Sequence, residues 1–315
     1  MKNEALNNMI VDDVTQLIGL TPLIRLNKIG GQEDCAEILC KLESLNPGGS
    51  IKDRPCLYMI EDAENKKILK KGSTIIEPTT GNTGIGLAMI CAVKEYRCIL
   101  TMPEDLSLER IYLLRSYGAE VILTPAKKGV QGAIDKAYEI QKKIPDSFIP
   151  LQFNSKANPL AHKKTTAKEI ITACGGKVDA FVASVGTGGT ITGVGEALKE
   201  EFSHVKIVAV EPKKSAVLSG GKPNTHKIQG IGAGFIPEIL NRSIIDEIET
   251  VEDEEAFLMM KRLSKEEGLS AGISSGANVA AALKVAQRLG KGKRVVTIIC
   301  DTGERYFSMQ QYFEA

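Results

Sequence analysis

Phe181-Val-Ala-Ser-Val-Gly186-Thr-Gly-Gly-Thr190-Ile-Thr-Gly-Val194 reads as a buried strand that runs into a glycine-rich turn and then a helix. Glycines let backbone N–H groups approach an anion closely, and a helix N-terminus adds partial positive charge. Thr187 and Thr190 add hydroxyl donors, so the stretch suits a phosphate. A dinucleotide fingerprint would need a glycine at position 191, which is Ile, although Glu211 after the next strand imitates the ribose-binding acid. No G-x-x-x-x-G-K-[ST] run occurs. The plain alternative is a tight strand-to-helix turn.

Outward from this stretch the same unit recurs. Thr74 to Glu77, Cys98 to Met102 and Glu120 to Thr124 read as short buried strands, with helical periodicity at 83–95, 106–117 and 130–143. Ala180 to Val185, Val205 to Val210 and Arg294 to Ile299 read as strands, with helices at 190–202, 252–266 and 276–289. This alternation predicts an α/β fold of mainly parallel sheets flanked by helices. Two clusters of such units predict two lobes with a cleft between them. Ligands in such folds bind beyond the C-terminal ends of strands.

Composition narrows the function classes. The 315 residues are 43% hydrophobic and 25% charged, with a formal net charge of +1. That balance gives no electrostatic case for nucleic acid or an acidic membrane. Trp is absent, which weakens base stacking as a binding mode. No apolar run approaches the roughly 20 residues of a membrane helix. The first residues, Met-Lys-Asn-Glu-Ala-Leu, carry no leader-like apolar core, so a cytoplasmic location is expected. The seven cysteines form no C-x-x-C pair and the three histidines no zinc spacing, so buried reduced thiols and no metal are expected.

Three more loops carry candidate chemistry. In Ser44-Leu-Asn-Pro-Gly-Gly-Ser-Ile-Lys52-Asp-Arg-Pro55, a lysine follows a tight turn and opens a helix. Taking such an amine out of water favours the neutral form that makes a Schiff base. In Ile75-Ile-Glu-Pro78-Thr-Thr-Gly-Asn82-Thr-Gly, the residues Thr79, Thr80, Asn82 and Thr83 surround one point with hydroxyl, amide and backbone donors. That set suits a carboxylate; the simpler reading is helix capping by Thr80 or Asn82. Cys300-Asp301-Thr302 follows the last strand, where Thr302 or Asp301 could face a heteroaromatic nitrogen. The flexible run Gln229-Gly-Ile-Gly-Ala-Gly-Phe235 could close over a ligand, and Gln152 could add an amide donor.

Taken in order, N-P-G-G-S-I-K-D-R, P-T-T-G-N-T-G, G-T-G-G-T, G-I-G-A-G and G-E-R-Y resemble the cysteine synthase and cystathionine β-synthase family. These are fold-type-II enzymes of pyridoxal 5'-phosphate (PLP). The resemblance spans nearly the whole chain. It implies that Lys52 holds PLP covalently and shuttles the α-proton, and that Asn82 meets the ring hydroxyl oxygen. It gives Gly186, Thr187, Gly188, Gly189 and Thr190 to the phosphate and Thr302 to the pyridine nitrogen. Thr79, Thr80, Gly81, Asn82, Thr83 and Gln152 would hold the substrate carboxylate, and Gly230 would line the closing loop. The implied domains are a smaller mobile one at 45–155 and a larger one at 12–44 and 156–315, which binds the PLP phosphate.

The reaction implied is β-replacement through an aminoacrylate: O-acetylserine and sulfide give cysteine and acetate. Three features depart from the family's pattern. Thr80 stands for the more usual serine, Cys300-Asp301 for Pro-Ser, and Pro55 follows Asp53-Arg54. Asp301 resembles an aspartate of some cystathionine β-synthases. Alternatives in the same class are therefore a cystathionine β-synthase, a sulfide-releasing lyase that consumes cysteine, and a lanthionine synthase. A nicotinamide-dependent dehydrogenase and a non-catalytic module that docks a partner's C-terminal carboxylate are the alternatives from other classes. A homodimer, and a partnership with serine acetyltransferase, are further implications of the resemblance.

Overall fold

A computed structural model describes residues 10–312 except 32, 80 and 105–107. The chain opens with an antiparallel pair, β1 (Leu23–Arg25) and β2 (Glu37–Leu42), then helix α1 (Asp53–Asn65). β3 (Thr74–Pro78), α2 (Asn82–Lys94), β4 (Arg97–Pro103), α3 (Leu108–Ser116), β5 (Glu120–Thr124), α4 (Gly129–Lys143) and β6 (Ser147–Phe148) follow. Two successive helices, α5 (Ala157–Lys164) and α6 (Thr166–Cys174), lead into β7 (Ala180–Ser184) and α7 (Gly189–Glu201). The chain ends with β8 (Lys206–Pro212), β9 (Glu247–Val251), α8 (Asp253–Glu267), α9 (Ile273–Leu289), β10 (Arg294–Ile299) and a 3₁₀ segment, Gly303–Tyr312.

The strands form two sheets. One has the order β1-β2-β10-β7-β8-β9 and the other β5-β4-β3-β6. Every pairing is parallel except β1 with β2. The mainly parallel α/β architecture expected from the alternation is therefore present. The central strands of the larger sheet are buried on both faces, as helices on both sides require. Val182, Val208 and Val210 join the core under α8 and α9, while Phe181, Ala183, Ile207 and Ala209 join the core under α6 and α7. The smaller sheet buries Ile75 and Leu100 against α1 and α2, and Ile76 and Ile99 against α4. The loops after β3, β7 and β10 open onto one cavity between the sheets.

Outside the alternating pattern read from the sequence lie α5, α6, β6 and β9, and also β1 and β2 with their antiparallel pairing. β9 reads Glu-Ile-Glu-Thr-Val and is only half-buried over four of its five residues, so it lacks the apolar run of its neighbours. The α5–α6 pair is broken at Thr165, whose φ of −120° and ψ of −73° interrupt the helix.

Candidate active site

The cavity holds about 340 Å³. Lys52 lies on its wall, half-buried, one residue before α1. The turn before it is fixed by Asp53, whose Oδ2 accepts the Gly48 N–H at 2.6 Å, and by Arg305, which donates to the Gly48 carbonyl.

One end of the cavity is the loop after β7. Gly188 takes φ +84° at the N-cap of α7, and the helix's first turn brings Thr190 to the cavity, while Thr187 Oγ1 lies 3.4 Å from the Gly189 N–H. A Cβ on Gly186 would sit 2.4 Å from the Gly230 carbonyl oxygen, and one on Gly189 would sit 1.9 Å from Asn158 Oδ1. Only glycine fits at either place. Asn158 Nδ2 donates to Thr187 Oγ1 at 3.0 Å, and His162 Nε2 lies 3.3 Å from Thr190 Oγ1. Burial, reinforced by Arg54 and Lys52, pushes the His162 imidazolium well below its ordinary range, so His162 is a neutral partner of Thr190. The result is an anion cradle free of carboxylates.

The opposite end is the loop after β3. Thr79 Oγ1 accepts the Gly81 and Gly84 N–H groups, each at 3.2 Å. Thr79 Oγ1 thus meets two N–H groups around the start of α2, and its own O–H remains to donate. Thr83 donates its hydroxyl to Gln152 Oε1 at 2.6 Å, which leaves the Gln152 NH2 as the donor end. Thr79, Gly81, Asn82, Thr83 and Gln152 all line the cavity. Thr80 lies outside the described residues. Asn82 is held at both ends of its amide: Arg305 Nη1 donates to its Oδ1 at 2.6 Å, and its Nδ2 donates to Asp301 Oδ2 at 2.6 Å. One Nδ2 hydrogen is left for a ligand.

Thr302 differs from expectation. It does not line the cavity; its hydroxyl accepts from Arg305 Nε at 3.2 Å. The chain turns away after Cys300 because Asp301 reaches back to Asn82 and to the Tyr306 hydroxyl, at 2.5 Å. That wall is built instead by Ser274, at the N-terminus of α9, and by Cys300. Asn278 ties the wall together: it accepts the Ser184 N–H at 2.8 Å and donates to the Ile298 carbonyl at 2.9 Å. The sequence carried a signal for this wall in Gly272-Ile-Ser-Ser-Gly276, a small-residue turn that opens a helix.

Gly230 and Gly232 line the mouth, with Arg110, Val130, Phe153 and His226. Arg110 Nη1 donates to Gln229 Oε1 at 2.5 Å, and its guanidinium lies 4.9 Å from the Tyr306 ring centroid. It joins α3 to both the glycine-rich loop and the C-terminal segment.

These groups fit PLP. An amine stands on the wall between an anion cradle and a cluster of neutral donors. Ile298, Ala183 and Ile228 offer apolar surface to a flat ring, and Asn82 and Ser274 offer neutral polar groups. No cluster of metal-ligating side chains occurs among the described residues, and no helix there is long and apolar enough to cross a membrane.

Residues 14–301 match the family model described as pyridoxal-phosphate dependent enzyme. A cysteine synthase of Staphylococcus aureus (strain Mu50 / ATCC 700699) is 52% identical over 303 residues, covering 96% of this chain and 97% of that protein. Among solved structures, a hydrogen sulfide-producing enzyme from Fusobacterium nucleatum superposes with a TM-score of 0.91 at 45% identity, over 95% of this chain and 100% of the other. The O-acetylserine dependent cystathionine beta-synthase from Helicobacter pylori gives a TM-score of 0.91 at 43% identity, over 95% of this chain and 98% of the other.

Proposed function

The chain belongs to the pyridoxal-phosphate dependent enzymes, and from that premise we propose that it is a β-replacement enzyme that makes cysteine from O-acetylserine and sulfide. The observation that carries this reading is the position of Lys52, on the wall of a cavity with an anion cradle at one end and carboxylate-binding donors at the other.

Bound PLP supplies an electron sink that weakens the bonds at an amino acid's α-carbon. In this reading Lys52 anchors the coenzyme, and its freed amine takes the α-proton and later returns it. Gly186, Thr187, Gly188, Gly189 and Thr190 hold the phosphate, and Asn82 orients the ring through Nδ2. Thr79 and Gln152 donate to the substrate carboxylate, with Gly81 and the N-terminus of α2 behind them, while Thr83 orients Gln152. Ser274, rather than Thr302, presents a neutral hydroxyl to the ring. A neutral partner does not hold a ring nitrogen protonated as a carboxylate would, which favours loss of a β-substituent over transamination. Gln229, Gly230 and Phe235 exclude water at the mouth. The smaller domain at 45–155 carries the carboxylate loop and moves against the rest.

Lys52→Ala tests the assignment. Visible absorbance from covalently held coenzyme should vanish, and turnover should fall by about 10³-fold or more. Retention of both would sink the proposal.

A second reading concerns the substrates. The Fusobacterium relative is named as hydrogen sulfide-producing and the Helicobacter one as a cystathionine beta-synthase, which favours a sulfide-releasing reaction, with cysteine as donor in this reading, or a larger thiol as nucleophile. Asp301, which sequence reading linked to that choice, is buried behind Asn82 and does not line the cavity. Product identification across O-acetylserine, serine and cysteine, each with sulfide or homocysteine, decides between the readings. Rapid cysteine turnover with little O-acetylserine turnover would select the second. The family resemblance further supports a cytoplasmic homodimer that engages serine acetyltransferase; sedimentation and co-purification test those two associations.

A further inference from the structure

Glu77 is the fourth residue of β3 and has no solvent exposure. It does not line the cavity. Its two oxygens accept two consecutive backbone N–H groups, Leu151 to Oε2 at 3.0 Å and Gln152 to Oε1 at 3.2 Å. A carboxylate suits this task because both of its oxygens are acceptors. Leu151 has φ +55°, a left-handed conformation that a leucine adopts only at a cost. The carboxylate therefore holds a strained turn.

Gln152 then faces both ends of the cavity. Its side-chain oxygen takes the Thr83 hydroxyl at 2.6 Å, in the first turn of α2 directly after the β3 loop. Its backbone carbonyl takes Asn158 Nδ2 at 2.9 Å, and the same Nδ2 reaches Thr187 Oγ1 at 3.0 Å in the loop after β7. One turn thus sets the register between the two loops.

We propose that Glu77 is a positioning residue, whose buried carboxylate fixes the Leu151–Gln152 turn and thereby aligns the carboxylate-binding loop with the phosphate cradle. The proposal rests on the amino-acid reading of the site given above. Burial opposes the charge and pushes the Glu77 carboxyl up to about 7, while the Gln152 and Leu151 N–H groups pull the other way. Those two hydrogen bonds are what an ionised group at this position has to stabilise it.

Glu77→Gln is the first test. An amide oxygen can accept one of the two N–H groups, while its NH2 opposes the other. KM for the amino-acid donor should rise at least tenfold in the holoenzyme, with kcat within threefold and the coenzyme absorbance maximum unmoved. Glycine adopts positive φ without penalty, so adding Leu151→Gly to Glu77→Gln should bring KM back to within threefold of the wild type. A Glu77→Gln holoenzyme with KM within twofold of the wild type would overturn the proposal, as would a double variant no better than the single one.

Wild-type hydrogen exchange gives a readout independent of variant folding. The Leu151 and Gln152 amides should exchange at least 100-fold more slowly than unprotected loop amides; exchange at the unprotected rate overturns the proposal. If the wild type turned over no amino-acid donor, the reading of function would fail, and the exchange result would still judge the role of Glu77 in the turn.

Discussion

Asp53 and Arg54 are neighbours in the first turn of α1, directly after Lys52, and both are buried. Their surroundings are opposite. Arg54 donates to Glu43 at 2.7 and 2.8 Å and to Glu169 at 2.7 and 2.7 Å. Lys41 adds a second cation, 2.6 Å from Glu169, and the Thr21 hydroxyl donates to Glu43 at 2.6 Å. Burial would raise the Glu169 carboxyl, but Arg54 and Lys41 outweigh it and hold the group down at about 2. Asp53 has the Gly48 N–H on one oxygen, and its Oδ1 has no partner among the described residues. Burial pushes its carboxyl up to about 7, against the pull of Gly48 and Arg305.

The buried Arg54, Lys41 and Glu43 are matched by opposite charges. Asp53 and Glu77, which do not line the cavity themselves but hold turns that do, lean mainly on backbone donors. An uncompensated buried carboxylate costs stability, and such groups gather where a site needs a backbone held in one shape. Asp53 fixes the turn before Lys52, as Glu77 fixes the turn at Gln152.

The strongest way to break this distinction is to remove the shared cation. Arg54→Met leaves Glu43 and Glu169 buried without their main partner and should cost about 3–5 kcal/mol of stability, read from denaturant midpoints. Asp53→Asn removes a charge that has no ion pair of its own and should change stability by no more than about 1 kcal/mol near neutral pH. Equal losses in the two variants would erase the contrast.

The second test is pH. Asp53 and Glu77 have folded values near 7, above their ordinary 3.8 and 4.5. Proton binding in the folded state therefore favours folding. The contribution is complete below the unfolded values and is lost as pH rises through about 7. Below pH 6.5 the neutral His162 opposes this trend, because its folded value is depressed. Between pH 6.5 and 8 the carboxylates dominate and stability should still fall, but more shallowly than the limit of about 1.4 kcal/mol per pH unit for each group that holds below about 7, levelling off toward pH 8. Asp53→Asn should flatten that fall. A wild type that gains stability from pH 6.5 to 8 would contradict the assignment of both groups.

The sequence showed the alternating units and the loops that end them, because apolar runs and glycine turns are local signals. It also brought Lys52, Asn82, the Gly186 loop and Gln152 to one place through the order of motifs. It did not show Ser274, whose position depends on where α9 begins relative to β10. It misplaced Thr302, because the path after Cys300 is decided by Asp301 reaching Asn82, 219 residues away in sequence. The pairing of Glu77 with Leu151 and Gln152 was equally hidden: a glutamate inside a strand run carries no local sign of the turn it meets.

The smallest expected effect sharpens the contrast most directly. The Arg54–Glu43 pair and the Lys66–Asp62 pair stand at opposite ends of α1, both at 2.7 Å. Arg54 and Glu43 side chains are 1% and 0% exposed, whereas Lys66 and Asp62 are 61% and 43% exposed. If separation set the energy, the two pairs would matter equally. Solvent instead screens the outer pair, and ordering two long side chains offsets much of its attraction. Lys66→Ala should therefore cost no more than about 0.5 kcal/mol at low salt, and that cost should shrink further near 0.5 M salt. A loss approaching that of Arg54→Met would mean that burial is not what separates the two ends of this helix, and the distinction between matched and unmatched buried charge around Lys52 would lose its basis.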